Sequence, residues 1–179
     1  MTRNPSRLAS LAPTVAMVEI RPYDPDRDEG QLWPLKRAFE LELGGETGDA
    51  DKRAAYEGKL TDDYRDRYRE WVDRCRADDP RCLTIAATDD ELLGYVFVLP
   101  ERLSMIWDAA VLNEVYVRPE DRGSGVADDL LAAATDLAAD QSLPLERLVL
   151  DVDPDNERAT SFYRRHGFEP WGEMLALSV

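Results

Sequence analysis

Lysine is nearly missing from this chain: it stands only at Lys36, Lys52 and Lys59, so arginine supplies almost all of the positive charge. The 22 basic residues face 37 acidic ones, which leaves a net charge of −15 and a pI near 4.4. Such a chain repels nucleic acid and anionic membranes, and neither is expected as a partner. Two explanations of the acidity stay open, an attraction for cationic amines or a halophilic-like composition that keeps the surface hydrated in salt. The acids are scattered along the chain rather than gathered at one place, which favours the second. A melting temperature that rises from low to molar salt is its expected consequence.

Histidine and cysteine are equally sparse, with His166 alone and only Cys75 and Cys82. No Cys/His cluster of zinc-ligand spacing can be assembled from them, so no metal is expected. A disulfide would have to close a short loop around Pro80; free, partly buried thiols are the expectation in a cytoplasmic protein. Long apolar runs are lacking too. Arg3 and Arg7 precede a run from Leu8 to Val18 in the manner of a signal peptide, but Ser10, Pro13 and Thr14 interrupt it and it is too short to span a bilayer. Residues 1–16 are therefore expected as a disordered extension and 17–179 as a single domain, since neither a repeat nor a low-complexity linker divides the chain.

What the chain does hold is a junction, Val115-Tyr116-Val117-Arg118-Pro119-Glu120-Asp121-Arg122-Gly123-Ser124-Gly125-Val126-Ala127. An apolar strand runs through a glycine turn into a helix whose apolar positions Val126, Leu130, Leu131, Ala134, Leu137 and Ala138 recur close to helical spacing. The first N–H groups of a helix have no internal partner and sit at the positive end of its dipole, so an anion completes them. Gly123 and Gly125 clear Cβ atoms from such an anion, and Arg122 adds charge at the turn. No Gly-Lys-Ser/Thr follows, which excludes a Walker loop, and the third glycine of a dinucleotide fingerprint is missing. Asp128 and Asp129 follow at once; they are expected to point to solvent, because a carboxylate at the cradle would oppose an anion.

Further on, Asn156-Glu157-Arg158-Ala159-Thr160-Ser161-Phe162-Tyr163-Arg164-Arg165-His166-Gly167-Phe168 reads as a short helix stopped by glycine. Asn156 and Tyr163 stand almost two turns apart and project from nearly one side. Taken alone, Asn156 reads as an N-cap and Tyr163 as a packing residue.

The segment Arg122-Gly123-Ser124-Gly125-Val126-Ala127 is similar to the Arg/Gln-x-x-Gly-x-Gly/Ala acyl-coenzyme A motif of the GNAT N-acetyltransferase superfamily. The Asn156–Phe168 stretch resembles that family's second signature, and the resemblance covers about residues 109–179. It implies an α/β (α+β) fold, with a mixed, mostly antiparallel central sheet splayed between two parallel strands and helices on both faces. It also implies acetyl-CoA as co-substrate, bound by Val115, Tyr116, Val117, Arg122, Gly123, Ser124, Gly125, Val126, Ala127, Asn156 and Tyr163. The acetyl group would pass to a primary amine by direct attack in a ternary complex. Tyr163 would be the acid that protonates the leaving thiolate, and Glu114 the base. For Glu114 an exposed strand carboxylate is the competing reading, since alternation sets Asn113, Val115 and Val117 on one face and Glu114 with Tyr116 on the other. The acceptor stays open between a small amine or amino-acid derivative and a protein α-amino or lysine group. A catalytically silent acyl-CoA sensor and a purely structural module remain as alternatives. Relatives in the family are often homodimers, and Trp107, Trp171 and Met174 suit either a partner surface or ordinary core.

Elements follow in an order that agrees. A strand is predicted over Val18–Pro22 and a helix from Asp28 to about Leu43, with Pro34 near its first turns. A loop over Gly44–Asp51 leads to a helix from Asp62 to Ala77 with an apolar stripe of Tyr64, Tyr68, Trp71 and Val72. Leu83–Ala87 and Leu92–Leu99 form a hairpin around Asp89-Asp90, and Ala109–Val117 is the next strand. Leu148–Val152 and Trp171–Val179 are predicted to complete the sheet.

Overall fold

Along the chain run β1 (Glu19–Pro22), α1 (Pro25–Glu46), α2 (Ala50–Gly58), α3 (Asp62–Asp78), β2 (Leu83–Ala87), β3 (Leu92–Val98), β4 (Ala110–Val117), α4 (Val126–Asp140), β5 (Leu148–Val149) and α5 (Glu157–Arg165). The computed structural model describes residues 17–46, 50–175 and 177, so the expected extension 1–16 lies outside the described residues.

The strands lie in the order β1-β2-β3-β4-β5; the first three pairings are antiparallel and β4–β5 is parallel. β2 and β3 are unbroken apolar runs because the sheet is covered on both sides, and every one of their residues is buried. Their turn closes around Asp89-Asp90, where Thr88 N–H donates to the Glu91 carbonyl at 2.9 Å. Alternation then divides the core. Ile85, Tyr95 and Phe97 meet Leu35 of α1 with Tyr68 and Val72 of α3. Ala86, Val96 and Val98 meet Leu130, Leu131 and Leu137 of α4 on the opposite face. The expected mixed sheet with helices on both faces is the one observed.

Several boundaries differ. α1 begins at Pro25 rather than Asp28, because proline suits a first helical position and Asp24 Oδ1 accepts the Asp26 N–H at 3.1 Å. Pro34 consequently lies inside the helix, not near its start. The predicted loop over Gly44–Asp51 is helical at both ends. Gly44 serves contact instead of a turn: a Cβ there would lie 2.6 Å from Tyr56 Cβ, so the glycine lets α1 and α2 touch.

Only Leu148–Val149 of the predicted Leu148–Val152 strand pairs with β4. Beyond it the chain turns toward α2, where Asp153 meets Lys52 Nζ at 3.2 Å. No strand occurs over the described part of Trp171–Val179. Trp171 packs against Trp107, but Met174, Leu175 and Leu177 are at least 70% exposed. Trp107, Trp171 and Met174 thus lie on the surface and not in ordinary core. Cys75 and Cys82 are free, as expected, yet fully rather than partly buried; burial pushes their thiols up to about 11 and about 12.

Candidate active site

β4 and β5 pair only at Ala110 with Leu148 and Val111 with Val149, and then part. The rest of β4 therefore borders a gap. Arg118 N–H bonds the Leu93 carbonyl at 2.9 Å, and Tyr116 and Glu114 pair with Tyr95 and Phe97. Alternation along that ladder turns the peptide groups of Val115 and Val117 away from β3, toward the gap. A cavity of about 950 Å³ fills the opening between β4, the start of α4, the segment after β5 and α5. Ten of the expected site residues line it: Glu114, Val115, Tyr116, Val117, Arg122, Gly123, Gly125, Ala127, Asn156 and Tyr163.

At one end stands the N-terminus of α4. Gly123 and Gly125 adopt φ of 78° and 98°, the left-handed region that glycine enters without strain. The first bond of the helix runs from Asp129 N–H to the Gly125 carbonyl, so the amides before it carry no helical partner. Ser124 and Val126 do not line the cavity with their side chains: the Ser124 hydroxyl donates to the Asp121 carbonyl at 2.6 Å, and Val126 is buried under the sheet. Arg122 folds back instead of reaching over the turn. Its Nε donates to the Val117 carbonyl at 2.9 Å and its Nη2 to Glu42 at 2.6 Å, and Glu42 also holds Arg158.

Asp129 is exposed as expected, but Asp128 is not simply turned to solvent. It lines the cavity and is tied across it to Arg165 at 2.7 Å and to His166 Nε2 at 2.8 Å. The Arg165 hydrogen bond holds its carboxyl below the ordinary range.

α5 brings the second set of residues. Asn156 is its N-cap, with Oδ1 accepting the Ala159 N–H at 3.0 Å. Gly167, at φ 85°, ends it, and Phe168 N–H returns to the Tyr163 carbonyl at 3.1 Å. Tyr163 is 8% exposed between Phe162 and Phe168, and burial pushes its phenol up to about 12. It therefore keeps its proton at neutral pH.

Glu114 is 7% exposed, which excludes the reading as an exposed strand carboxylate. Oε1 accepts from Lys36 Nζ at 2.7 Å and Asn113 Nδ2 at 3.3 Å; Oε2 accepts from Tyr95 at 2.8 Å and Tyr68 at 3.1 Å. Burial and then the Glu114 charge raise both phenols well above their usual value. Lys36 also meets Glu40 at 2.7 Å, and Glu40 meets Lys59 at 2.6 Å and Tyr64 at 2.7 Å. Burial pushes the Glu40 carboxyl up, but Lys36, Lys59 and Tyr64 together hold it below the ordinary range. Lys36, Glu40, Tyr68 and Tyr95 were not singled out by the sequence for chemistry. The one local sign was Lys36 four residues before Glu40, a pair that on most helices would face water.

Among the described residues no group of three His, Cys, Asp or Glu could hold a metal ion, and no helix is long and apolar enough to cross a membrane.

Residues 47–168 match the model of the Acetyltransferase (GNAT) family. A mycothiol acetyltransferase of Kocuria rhizophila is 34% identical over 86% of this chain and 46% of its own length. One of Streptomyces griseus is 29% identical over 84% of this chain and 43% of its own. The chain thus spans about half the length of the curated relatives it matches. In fold it is similar to the PaiA N-acetyltransferase of Thermoplasma acidophilum, crystallised with coenzyme A: TM-score 0.65, 19% identity, 86% of this chain and 90% of that one.

Proposed function

Since this chain belongs to the GNAT acetyltransferase family, we propose that it moves an acetyl group from acetyl-CoA to a primary amine, by direct attack while both substrates are bound. The observation that carries this reading is a single cavity joining unpaired helix amides, an open strand edge, a protonated phenol and a buried carboxylate. The amides at 123–127 would take the diphosphate. The peptide groups of Val115 and Val117 would bond the pantetheine arm like a missing strand, with Asn156 at its side.

Attack on a thioester needs a neutral amine, and Glu114 would remove the amine's proton directly or through one water. As the carbon–sulfur bond breaks, a thiolate forms in the same apolar slot as Tyr163, which gives up its phenolic proton. No covalent enzyme intermediate is required. The curated relatives bear the name mycothiol acetyltransferase, which favours a small-molecule acceptor over a protein one.

Two measurements test the reading in sequence. At a hundredfold excess over its dissociation constant, coenzyme A is expected to stabilise the protein by about 2.7 kcal/mol. A thiol-release screen with acetyl-CoA against aminoglycosides, amino sugars, α-amino amides and diamines is then expected to find turnover. No thermal shift would reduce the chain to a structural module; a shift without turnover of any amine would make it a silent binding module.

A further inference from the structure

A lysine 3% exposed beneath a sheet is an expensive way to fix a helix to it. Apolar residues of similar volume commonly do this better than a buried ion pair. Lys36 lies between two carboxylates, 2.7 Å from Glu40 and 2.7 Å from Glu114, and only the second of these lines the cavity. We propose that Lys36 is a positioning residue for acetyl transfer: its ammonium, bonded to Oε1, holds the Glu114 carboxylate where it can take the proton of the acceptor amine. The proposal rests on the reading of Glu114 as the base.

The donors around Glu114 are unequal. Oε2 is occupied by the Tyr68 and Tyr95 hydroxyls, both buried. Oε1 carries the Lys36 ammonium and, at 3.3 Å, the long bond from Asn113, itself a cavity residue. The weak bond is the one an amine or its bridging water can replace, so the proton arrives at Oε1 from the Asn113 side. Protonation there ends the attraction between Glu114 and Lys36. Glu40 remains to hold the ammonium through that moment, and Lys59 with Tyr64 keeps Glu40 ionised in turn. The charged and titratable groups bearing on Glu114 are thus Lys36 and Glu40 of α1, Lys59 after α2, Tyr64 and Tyr68 of α3, and Tyr95 of β3.

The sign of the effect follows. A carboxylate beside an ammonium resists protonation, so the acid limb of kcat/KM lies at lower pH than it would without Lys36. Lys36→Met is expected to move that limb upward by about one pH unit or more, with Lys36→Arg returning it toward the parent. Glu40→Gln leaves Lys36 to Glu114 alone and moves the limb in the opposite direction. Titration of the amine is common to all variants on one acceptor and cancels in the comparison. Should no amine of the screen be turned over, the same opposed shifts are read from the 13C carboxyl titration of Glu114 in the coenzyme-free protein. An ion pair that only anchors α1 changes the melting temperature and leaves the limb in place; that result in both variants overturns the proposal. If Lys36→Met does not fold, Glu40→Gln decides alone, an unmoved or raised limb being the adverse outcome. Parent activity in Glu114→Gln would sink the underlying base assignment instead, and does so independently of any Lys36 variant.

Discussion

The two walls of the cavity are made of different matter. The wall of β4, α4 and α5 offers peptide groups: the strand edge at Val115 and Val117 that β5 leaves, and the amides after Gly123. The wall under α1 and α3 presents the Glu114 carboxylate, and behind it, outside the cavity, Lys36, Tyr68 and Tyr95 bond that carboxylate from three elements while Glu40 holds Lys36. Backbone recognition tolerates side-chain exchange as long as the backbone path is kept. A buried charge network tolerates almost none, because one missing partner leaves another group unpaired in low dielectric. Substitutions on the two walls should therefore fail in different ways.

The largest effects are expected where both walls meet the reacting atoms. Tyr163→Phe should lower kcat by about 10²–10⁴-fold while the coenzyme A dissociation constant stays within about twofold of the parent. Glu114→Gln should lower kcat/KM by about 10²-fold with coenzyme binding again retained. Steady-state kinetics beside calorimetric titration separates the two quantities. A parallel loss of rate and coenzyme affinity in either variant would erase the distinction between the walls.

Next in size is the backbone of the cradle. A Cβ at Gly125 meets nothing within 4 Å, so Gly125→Ala acts only through its φ of 98°, at a cost of roughly 1–2 kcal/mol. Relaxation of that strain would re-aim the helix amides, and coenzyme A affinity should drop by about tenfold. On the other wall the matching test is one of pH. The Glu40 carboxyl is held below its ordinary range in the folded chain, so it contributes stability above the unfolded carboxylate value of about 4.3, lost as pH falls through the folded value. Urea unfolding should find that Glu40→Gln loses less stability than the parent between pH 6 and pH 3. An equal loss would mean that Glu40 is not held by Lys36 and Lys59.

The same division governs what could be read from the residues in order. Gly123, Gly125, Asn156 and Tyr163 lie within two short segments whose local geometry dictates their role in the fold, and they do reach one cavity. Glu114 was legible as a residue at the splay, but its burial was not, since that depends on α1 and α3 arriving from 78 and 46 residues away. Gly44 looked like a turn because a close helix contact and a turn select the same residue. The strand expected at Trp171–Val179 had apolar residues in plenty, yet its described residues do not pair although β5 ends the sheet.

The smallest expected effect is also the most discriminating for the peptide wall. Asp128 places a carboxylate on the rim of the cradle and neutralises Arg165 there at 2.7 Å. If the α4 amides receive an anion, Asp128→Asn removes a repulsion and frees a cation, and coenzyme A should bind about two- to fivefold more tightly. The first turn of α4 simultaneously loses a favourable charge, so the coenzyme-free protein should be slightly less stable. Asp129→Asn changes the net charge equally from an exposed position outside the cavity, and should leave affinity nearly as it was. Tighter binding in both variants would trace the gain to the overall charge of −15. Tighter binding in Asp128→Asn alone would locate the anion at the helix end.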